Sequence, residues 1–372
     1  MKKGYYMHFQ GRQSIGVSKK IDMQIEEFSR FYEMQEVEIK TQERSLLKRV
    51  LGLWPTASIL RDYKEGLEKI VDPAFLYIRR TVADKAYIKF LHDVKQKYPD
   101  CKIVIEIFTY PYDKDDFRKW NAWPFYLKER IYRPQLKKYV DRFVTYTDDK
   151  EIFGVPTIPT ANGVNVEKIP LVRGGFENGR LRLVAVAFMQ RQHGYERIIE
   201  GIAQYYKENP GYRVELSLVG DGPEKAMYQK LVQKYGIQEY VQFYPTMSGE
   251  KLDELYDQSD IALIAFGMYK VGVYGKMSAL KSRECMAKGM LMLSGSGIDV
   301  LDENYPFMKV VPNCKEPVNM DEVVKFFENI TSQYPDKEVL AGNIRQIAKE
   351  KVDMSVVMKP VLEFLAKSIS SR

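Results

Sequence analysis

The chain is poor in the features that mark several broad protein classes. Its three cysteines, Cys101, Cys285 and Cys314, stand far apart along 372 residues. That odd number at that spacing offers neither a disulfide framework nor a zinc site. No run of about 18 apolar residues occurs, so no transmembrane helix is expected. The opening stretch, MKKGYYMHFQGRQSIG, lacks the apolar core of a signal peptide. The expected location is therefore cytoplasmic, with a peripheral place on the inner face of the plasma membrane as a further expectation. No segment is of low complexity, and no repeat of about 20–50 residues shows. A basic stripe or recognisable nucleic-acid module is missing too, so nucleic acid is not an expected partner. The acidic run Asp113–Asp116 sits in a charged loop and reads as solvated surface rather than a metal site.

What is present suits two globular domains. The apolar share is 45%, enough for large cores, and the length is generous for one domain. The net charge is +7, spread over the whole length. Solvated surface accounts for such a charge; so does an anionic partner, whether a phosphorylated ligand or a membrane surface.

The second half alternates short apolar runs with amphipathic stretches. LRLVAVAF (181–188), VELSLVG (214–220), YVQFYP (240–245), IALIAF (261–266), MLML (290–293) and MKVVP (308–312) read as strands. Helices are expected over 195–211, 224–235, 249–258 and 277–289, and from Asp321. The first half adds strands at 4–9, 74–80, 102–108 and 142–147, with helices over 17–33, 82–98 and 129–140. Such alternation implies parallel sheets covered on both faces. The segment 158–170, rich in Pro, Gly and Asn, reads as a hinge. The expected division is 1–168, 169–350 and a C-terminal helix over 351–372. Ligands of such sheets sit beyond the carboxyl ends of the strands, and a cleft between two domains is the default site.

Several loops at strand ends carry possible chemistry. Gly11 and Gly16 allow a tight turn before a helix that starts near Val17, and a helix N-terminus binds phosphate; a plain strand–helix turn has the same pattern. Gly220-Asp221-Gly222-Pro223 ends a strand and opens a helix, with Pro near the first helical position. His193-Gly194 lies in the loop after the strand at 181–188, where either a structural or a ligand-facing histidine fits. The stretch 44–54 gathers Leu46, Leu47, Val50, Leu51 and Trp54 beside Arg44, Lys48 and Arg49. That pattern suits a membrane-surface helix and equally a packed surface helix.

Taken together these pieces resemble the retaining glycosyltransferases of the GT-B fold in the large family numbered four. The matching residues are Asn162-Gly163-Val164, His193-Gly194-Tyr195, the VGDGP turn and SALKSRECMAKG. GVSKK (16–20) and IEIFTYPY (105–112) are similar to a branch found in capsule and exopolysaccharide clusters. The resemblance implies two Rossmann-like doubly wound domains facing a cleft, with the last helix crossing back to the first domain. It implies no metal and no other cofactor. It also implies a nucleoside-diphosphate sugar, UDP-linked among the candidates, as donor, and a lipid-linked or oligosaccharide acceptor.

Carried onto this sequence, the family's acidic motif places its second Glu at Glu284, on the ribose hydroxyls, and its first at Lys276. The usual Arg and Lys after the first strand of the donor domain fall on Phe188 and His193, and the cation of LK-x-RE is Lys281. The implied catalytic residues are Lys281 and His193. The implied donor contacts are Gly16, Val17, Gly194, Gly220, Asp221, Gly222, Pro223, Tyr244, Lys276, Ser278, Leu280, Lys281 and Glu284. Thr109, Tyr110 and Tyr112 fall on the acceptor side. The departures at Lys276 and Phe188 leave a second reading, a catalytically silent glycosyltransferase-like partner subunit.

Helical spacing puts Glu284 on one face with Leu280 and Ala287, a face expected to point inward. A buried carboxylate needs a partner, and a ribose diol can supply two hydrogen bonds. Lys281 at the helix start can neutralise a diphosphate. An internal Lys281–Glu284 pair would be worth only about 0.2–0.5 kcal/mol, a weak reason to bury a charge.

Overall fold

The computed structural model describes residues 1–9, 15–41, 52, 54, 56–59, 61–112, 122–208 and 210–370. The expected surface helix over 44–54, apart from Gly52 and Trp54, lies outside the described residues, as do Gly11 and Asp113–Asp116. The chain divides into one unit made of Met1–Ala161 with Met354–Arg372 and a second made of Asn162–Asp353.

The first unit opens with β1 (Lys3–Phe9), α1 (Ile15–Ser29), β2 (Glu33–Ile39), α2 (Tyr63–Glu68), β3 (Pro73–Arg79), α3 (Lys85–Lys97) and β4 (Lys102–Ile107). It continues with α4 (Trp123–Tyr132), β5 (Arg142–Thr145), β6 (Glu151–Ile152) and β7 (Val155–Pro159). The strand order is β2-β1-β3-β4-β5-β7-β6, parallel except where β6 meets β7. Successive residues of the central strands point to opposite faces, and both faces are buried. Tyr5, Met7, Leu76, Ile78, Ile103 and Ile105 build one core. Tyr6, Phe75, Tyr77, Val104 and Val144 build the other with Ile21 and Phe28 of α1. That is why these strands read as nearly unbroken apolar runs.

The second unit contains β8 (Arg180–Val186), α5 (Glu196–Tyr205), β9 (Arg213–Val219), α6 (Lys225–Tyr235), β10 (Val241–Tyr244), α7 (Glu250–Asp257) and β11 (Ile261–Leu263). Then follow α8 (Leu280–Lys288), β12 (Leu291–Ser294), β13 (Met308–Val310), α9 (Met320–Gln333) and α10 (Lys337–Lys351). Its sheet is parallel throughout, in the order β10-β9-β8-β11-β12-β13. The order reverses between β8 and β11, and such a reversal opens a crevice at the carboxyl ends of the two strands.

The last helix, α11 (Met354–Ser370), returns to the first unit. Its Met358, Val361 and Leu365 enter the core beside α1. The Thr160 hydroxyl donates to the Val357 carbonyl, and Lys2 Nζ donates to the Ile369 carbonyl at 2.6 Å. The units meet at 161/162 and 353/354, not at 168/169 and 350/351. Backbone pairing explains the shift: Val164 N–H donates to the Val352 carbonyl at 3.0 Å and Val166 N–H to Asp353 Oδ2 at 3.1 Å. Residues 162–168 are therefore tied to the second unit, and the start of the expected hinge, Ile158 and Pro159, is the end of strand β7.

Two further expectations change. The helix over 129–140 is α4 followed by a tighter 3-10 turn over Arg133–Lys138. Pro134 lacks the N–H that an α-helix would use there. Strand β2 was not expected at all.

Candidate active site

The site begins where β8 ends. After Val186 the chain turns through Ala187 to Met189 and a 3-10 turn over Arg191–His193, then reaches Gly194 with φ +59°. A Cβ at Gly194 would strike the Gly267 backbone, and one at Gly267 would strike the Arg191 carbonyl. The loops after β8 and β11 therefore lie backbone against backbone. Phe266 N–H donates to the His193 carbonyl at 2.8 Å, and Gly267 N–H to that of Gln192 at 3.1 Å. The fully buried Arg197 of α5 secures the second loop, its Nη1 donating to the Phe266 carbonyl at 2.9 Å and its Nε to that of Glu316 at 2.6 Å.

The VGDGP turn after β9 packs on the same corner. Met189 N–H donates to the Asp221 carbonyl at 2.6 Å, and Gly220 N–H to the Tyr244 carbonyl at 3.2 Å. Gly220 and Gly222 have φ of +122° and +138°, and a Cβ on either would meet the backbone of Ala187 or Met189. These two glycines are needed for the turn to seat against β8.

Lys281, the second residue of α8, completes the crevice. Its Nζ donates to the Tyr195 hydroxyl at 2.8 Å and to the Ile264 carbonyl, just past β11, at 3.3 Å. Tyr195 is fully buried and stacks on His193 with ring centroids 5.5 Å apart. Burial lowers the Lys281 ammonium to about 8, although the nearby Cys285 and Glu284 act to raise it. Burial also pushes the His193 imidazole down to about 3, helped by the Lys281 charge and opposed by the hydrogen bond to Gln190. His193 Nδ1 accepts from Gln190 N–H at 3.0 Å. A neutral ring held that way carries its proton on Nε2 and presents a donor. The N-cap of α8, Ala279, makes no side-chain cap bond. The first amides of that helix thus lack the usual side-chain acceptor and favour an anion.

The structure brings His193, Gly194, Lys281, Gly220, Asp221, Gly222 and Tyr244 to the carboxyl edge of the second sheet. Pro223 is exposed and Tyr244 half-buried in the same corner. Leu280 and Glu284 are half-buried, which corrects the expectation of a buried stripe through them. The buried residues of α8 are Ser282, Arg283, Cys285, Met286, Ala287 and Lys288, so Ala287 faces inward as expected. The charge buried deepest is that of Arg283. Its Nη2 pairs with Asp299 and donates to Ser278 Oγ at 3.3 Å, and its Nε donates to the Asn162 carbonyl at 3.1 Å. Ser278 serves in that anchor, accepting Asn162 Nδ2 at its carbonyl at 2.7 Å. Lys276 is exposed, and its amine donates to the Leu301 carbonyl at 2.9 Å. Phe188 is 63% exposed at the exit of β8.

Gly16, Val17, Thr109, Tyr110 and Tyr112 belong to the first unit. Gly16 and Val17 are half-buried in the first turn of α1. Thr109 is exposed and Tyr110 half-buried, whereas Tyr112 lies in the core with its hydroxyl donated to Glu129 Oε1 at 2.7 Å. Tyr112 therefore supports its loop from beneath rather than lining a surface. Sequence reasoning missed Tyr195 as the partner of Lys281. The His-Gly-Tyr triplet was visible, but only the fold brings residue 281 to it. Among the described residues no group of three His, Cys, Asp or Glu side chains is placed to hold a metal ion, and no helix is long and apolar enough to cross a membrane.

Residues 172–269 match the family model described as Glycosyl transferases group 1. Among solved structures, the chain is similar to Anabaena HepE in complex with UDP, at TM-score 0.63 and 11% identity over 99% of this chain and 100% of that one. It is similar also to sucrose-phosphate synthase of Thermosynechococcus elongatus, at TM-score 0.62 and 14% identity over 99% and 100% of the two chains. A third likeness is to the apo form of the lipopolysaccharide outer core galactosyltransferase WaaB, at TM-score 0.52 and 12% identity over 99% of each. No curated protein sequence matches the chain. The fold is thus that of GT-B proteins, α/β with two Rossmann-like parallel-sheet domains, and the match to the group 1 model falls within the second unit.

Proposed function

We propose that this chain is a glycosyltransferase that moves a sugar from a nucleoside-diphosphate sugar, a UDP-sugar, to a glycan acceptor. The observation that carries the reading is the seat of Lys281. Its ammonium lies at the switch point of the second sheet, beside a helix N-terminus without a side-chain cap and one turn from Glu284. A carboxylate for the ribose and a cation with helix amides for the diphosphate then stand on the first two turns of one helix. The group 1 domain of residues 172–269 supports the same chemistry, and the solved HepE complex contains UDP.

In this reading the leaving diphosphate is stabilised electrostatically by Lys281 and the α8 amides, with the neutral His193 donating from Nε2. Transfer proceeds without a metal and with retention of configuration. The acceptor is lipid-linked, the product a bacterial surface polysaccharide, and the enzyme works at the inner face of the membrane. The motifs GVSKK and IEIFTYPY and the excess of basic residues support these finer points. Gly16 and Val17 remain donor contacts on the strength of the motif.

A second reading is favoured by Lys276, which stands where the resemblance expects the first motif Glu and whose amine rests on Leu301. In that reading the chain is a catalytically silent partner subunit. Purified chain given UDP-sugars decides between the two. Release of UDP that survives EDTA supports the enzyme. No release with any donor supports the silent subunit, and release abolished by EDTA and restored by Mn²⁺ removes the metal-free mechanism.

A further inference from the structure

Glu106 stands in strand β4, among the apolar residues that follow Lys102, and its side chain is completely buried. Two cations flank it: Lys20 Nζ lies 2.9 Å from Oε1 and Arg79 Nη1 lies 3.2 Å from Oε2. Gln24 Nε2 donates to the same Oε1 at 2.9 Å, and the Tyr146 hydroxyl donates there as well. Burial alone would raise the Glu106 carboxyl, but Lys20, Arg79 and these hydrogen bonds hold it down at about 2. At neutral pH the ionised carboxylate thus stands between two cations in a nearly dry place. Charges so removed from water are costly, and well-packed apolar residues would often hold a core as well.

The position of the cluster argues for more than structure. In the order β2-β1-β3-β4-β5-β7-β6 the connection reverses between β1 and β3, and sheets of this order bind ligands beyond the carboxyl ends at that reversal. Arg79 is the last residue of β3, and Lys20 and Gln24 lie on the helix that follows β1. The register Met7↔Ile78, carried one step on, sets His8 beside Arg79. His8 is 2% exposed, and its Nε2 meets Glu36 Oε1 at 2.7 Å. Its Nδ1 is buried without a hydrogen-bond partner among the described residues. The cluster also reaches the surface. Arg79 and Tyr146 are half-buried, and the Arg79 guanidinium lies 4.5 Å from the ring centroid of Phe108, itself 37% exposed.

We propose that Lys20 and Arg79, oriented by Glu106, form an anion site of the first unit that takes a phosphate group. The chemistry is shared by a lipid-linked diphosphate, a nucleotide diphosphate and free phosphate. Removing one partner of a buried pair can unfold a protein, so the test rests on opposite signs. Pyrophosphate binding to the full chain is measured by calorimetry in a Lys281→Ala background, which removes the cation of the second unit. Binding should persist there. Adding Arg79→Gln should weaken it about tenfold or more. Adding Glu106→Gln, which keeps the shape and removes the negative charge, should tighten it and enlarge the thermal shift produced by pyrophosphate. Displacement of pyrophosphate by UDP would assign the site to a nucleotide, and simultaneous binding would assign it to another phosphate. No pyrophosphate binding in Lys281→Ala, or changes of the same sign in the two added variants, would overturn the proposal. UDP binding by the otherwise unaltered protein tests the glycosyltransferase reading separately.

Discussion

The Lys281 ammonium donates to the Tyr195 hydroxyl at 2.8 Å across 86 residues of sequence. One partner lies on α8 and the other just before α5, so the bond joins the two loops at the reversal of the second sheet. Tyr195 is itself stacked on His193, which makes the three side chains one unit.

Removing that hydroxyl should be felt at the amine. Tyr195→Phe leaves Lys281 with the Ile264 carbonyl and takes away an acceptor that favours the charged form. UDP affinity is expected to fall about fivefold at neutral pH, the worth of about one hydrogen bond. The pH at which binding is lost should also move downward. Calorimetric titrations across the pH range check both.

The unaltered protein has its own pH signature. Lys281 is lowered to about 8, so its charge is complete only below that pH. UDP affinity should decline as pH rises through about 8. For stability the sign is opposite: between about 8 and 10.5 the unfolded chain binds more protons at this residue, so its contribution to stability rises with pH. Lys281→Met should flatten both dependences.

Glu106 predicts an acid limb. Its carboxyl is depressed from 4.5 to about 2, so its stabilising contribution is complete above 4.5 and is lost as pH falls through about 2. The contribution is on the order of 3 kcal/mol. Denaturant unfolding between pH 5 and pH 2 should lose that increment in the unaltered protein and show it much reduced in Glu106→Gln.

Arg283 is wholly buried and paired with Asp299, whose side chain is 22% exposed. Asp299→Ala removes the carboxylate paired with this buried guanidinium and should destabilise the chain by about 3 kcal/mol, the low end for breaking a buried pair. Thermal unfolding is the check, with Asp299→Asn expected to lose less because it can still accept.

Much of the second unit is legible in the sequence, because its strands are buried on both faces and bounded by Gly and Pro. Strand β2 was hidden because its sequence, EMQEVEI, sets three glutamates among few apolar residues. Among the described residues it pairs only with β1, and charge on an edge strand guards against further pairing. Glu106 falls within the strand expected at 102–108; the signal is a charge inside a buried strand, and its partners come from α1, β3 and the residue just past β5. On α8, helical spacing alone could not tell which face packs inward. The answer came from Asp299 and Asn162, both distant in sequence, which hold Arg283. Lys281 was legible as a cation at a helix start, whereas its bond to Tyr195 depends on the order of the strands.

The central claim is that Lys281 and Glu284 hold the nucleotide directly, with separable roles. Calorimetry of Lys281→Ala and Glu284→Gln against UMP and UDP tests it most directly. Glu284→Gln is expected to weaken both ligands alike, roughly 10- to 150-fold, because the ribose is common to them. Lys281→Ala is expected to weaken UDP much more than UMP. Unchanged affinities in folded variants, or a Lys281→Ala loss equal for the two ligands, would contradict the account.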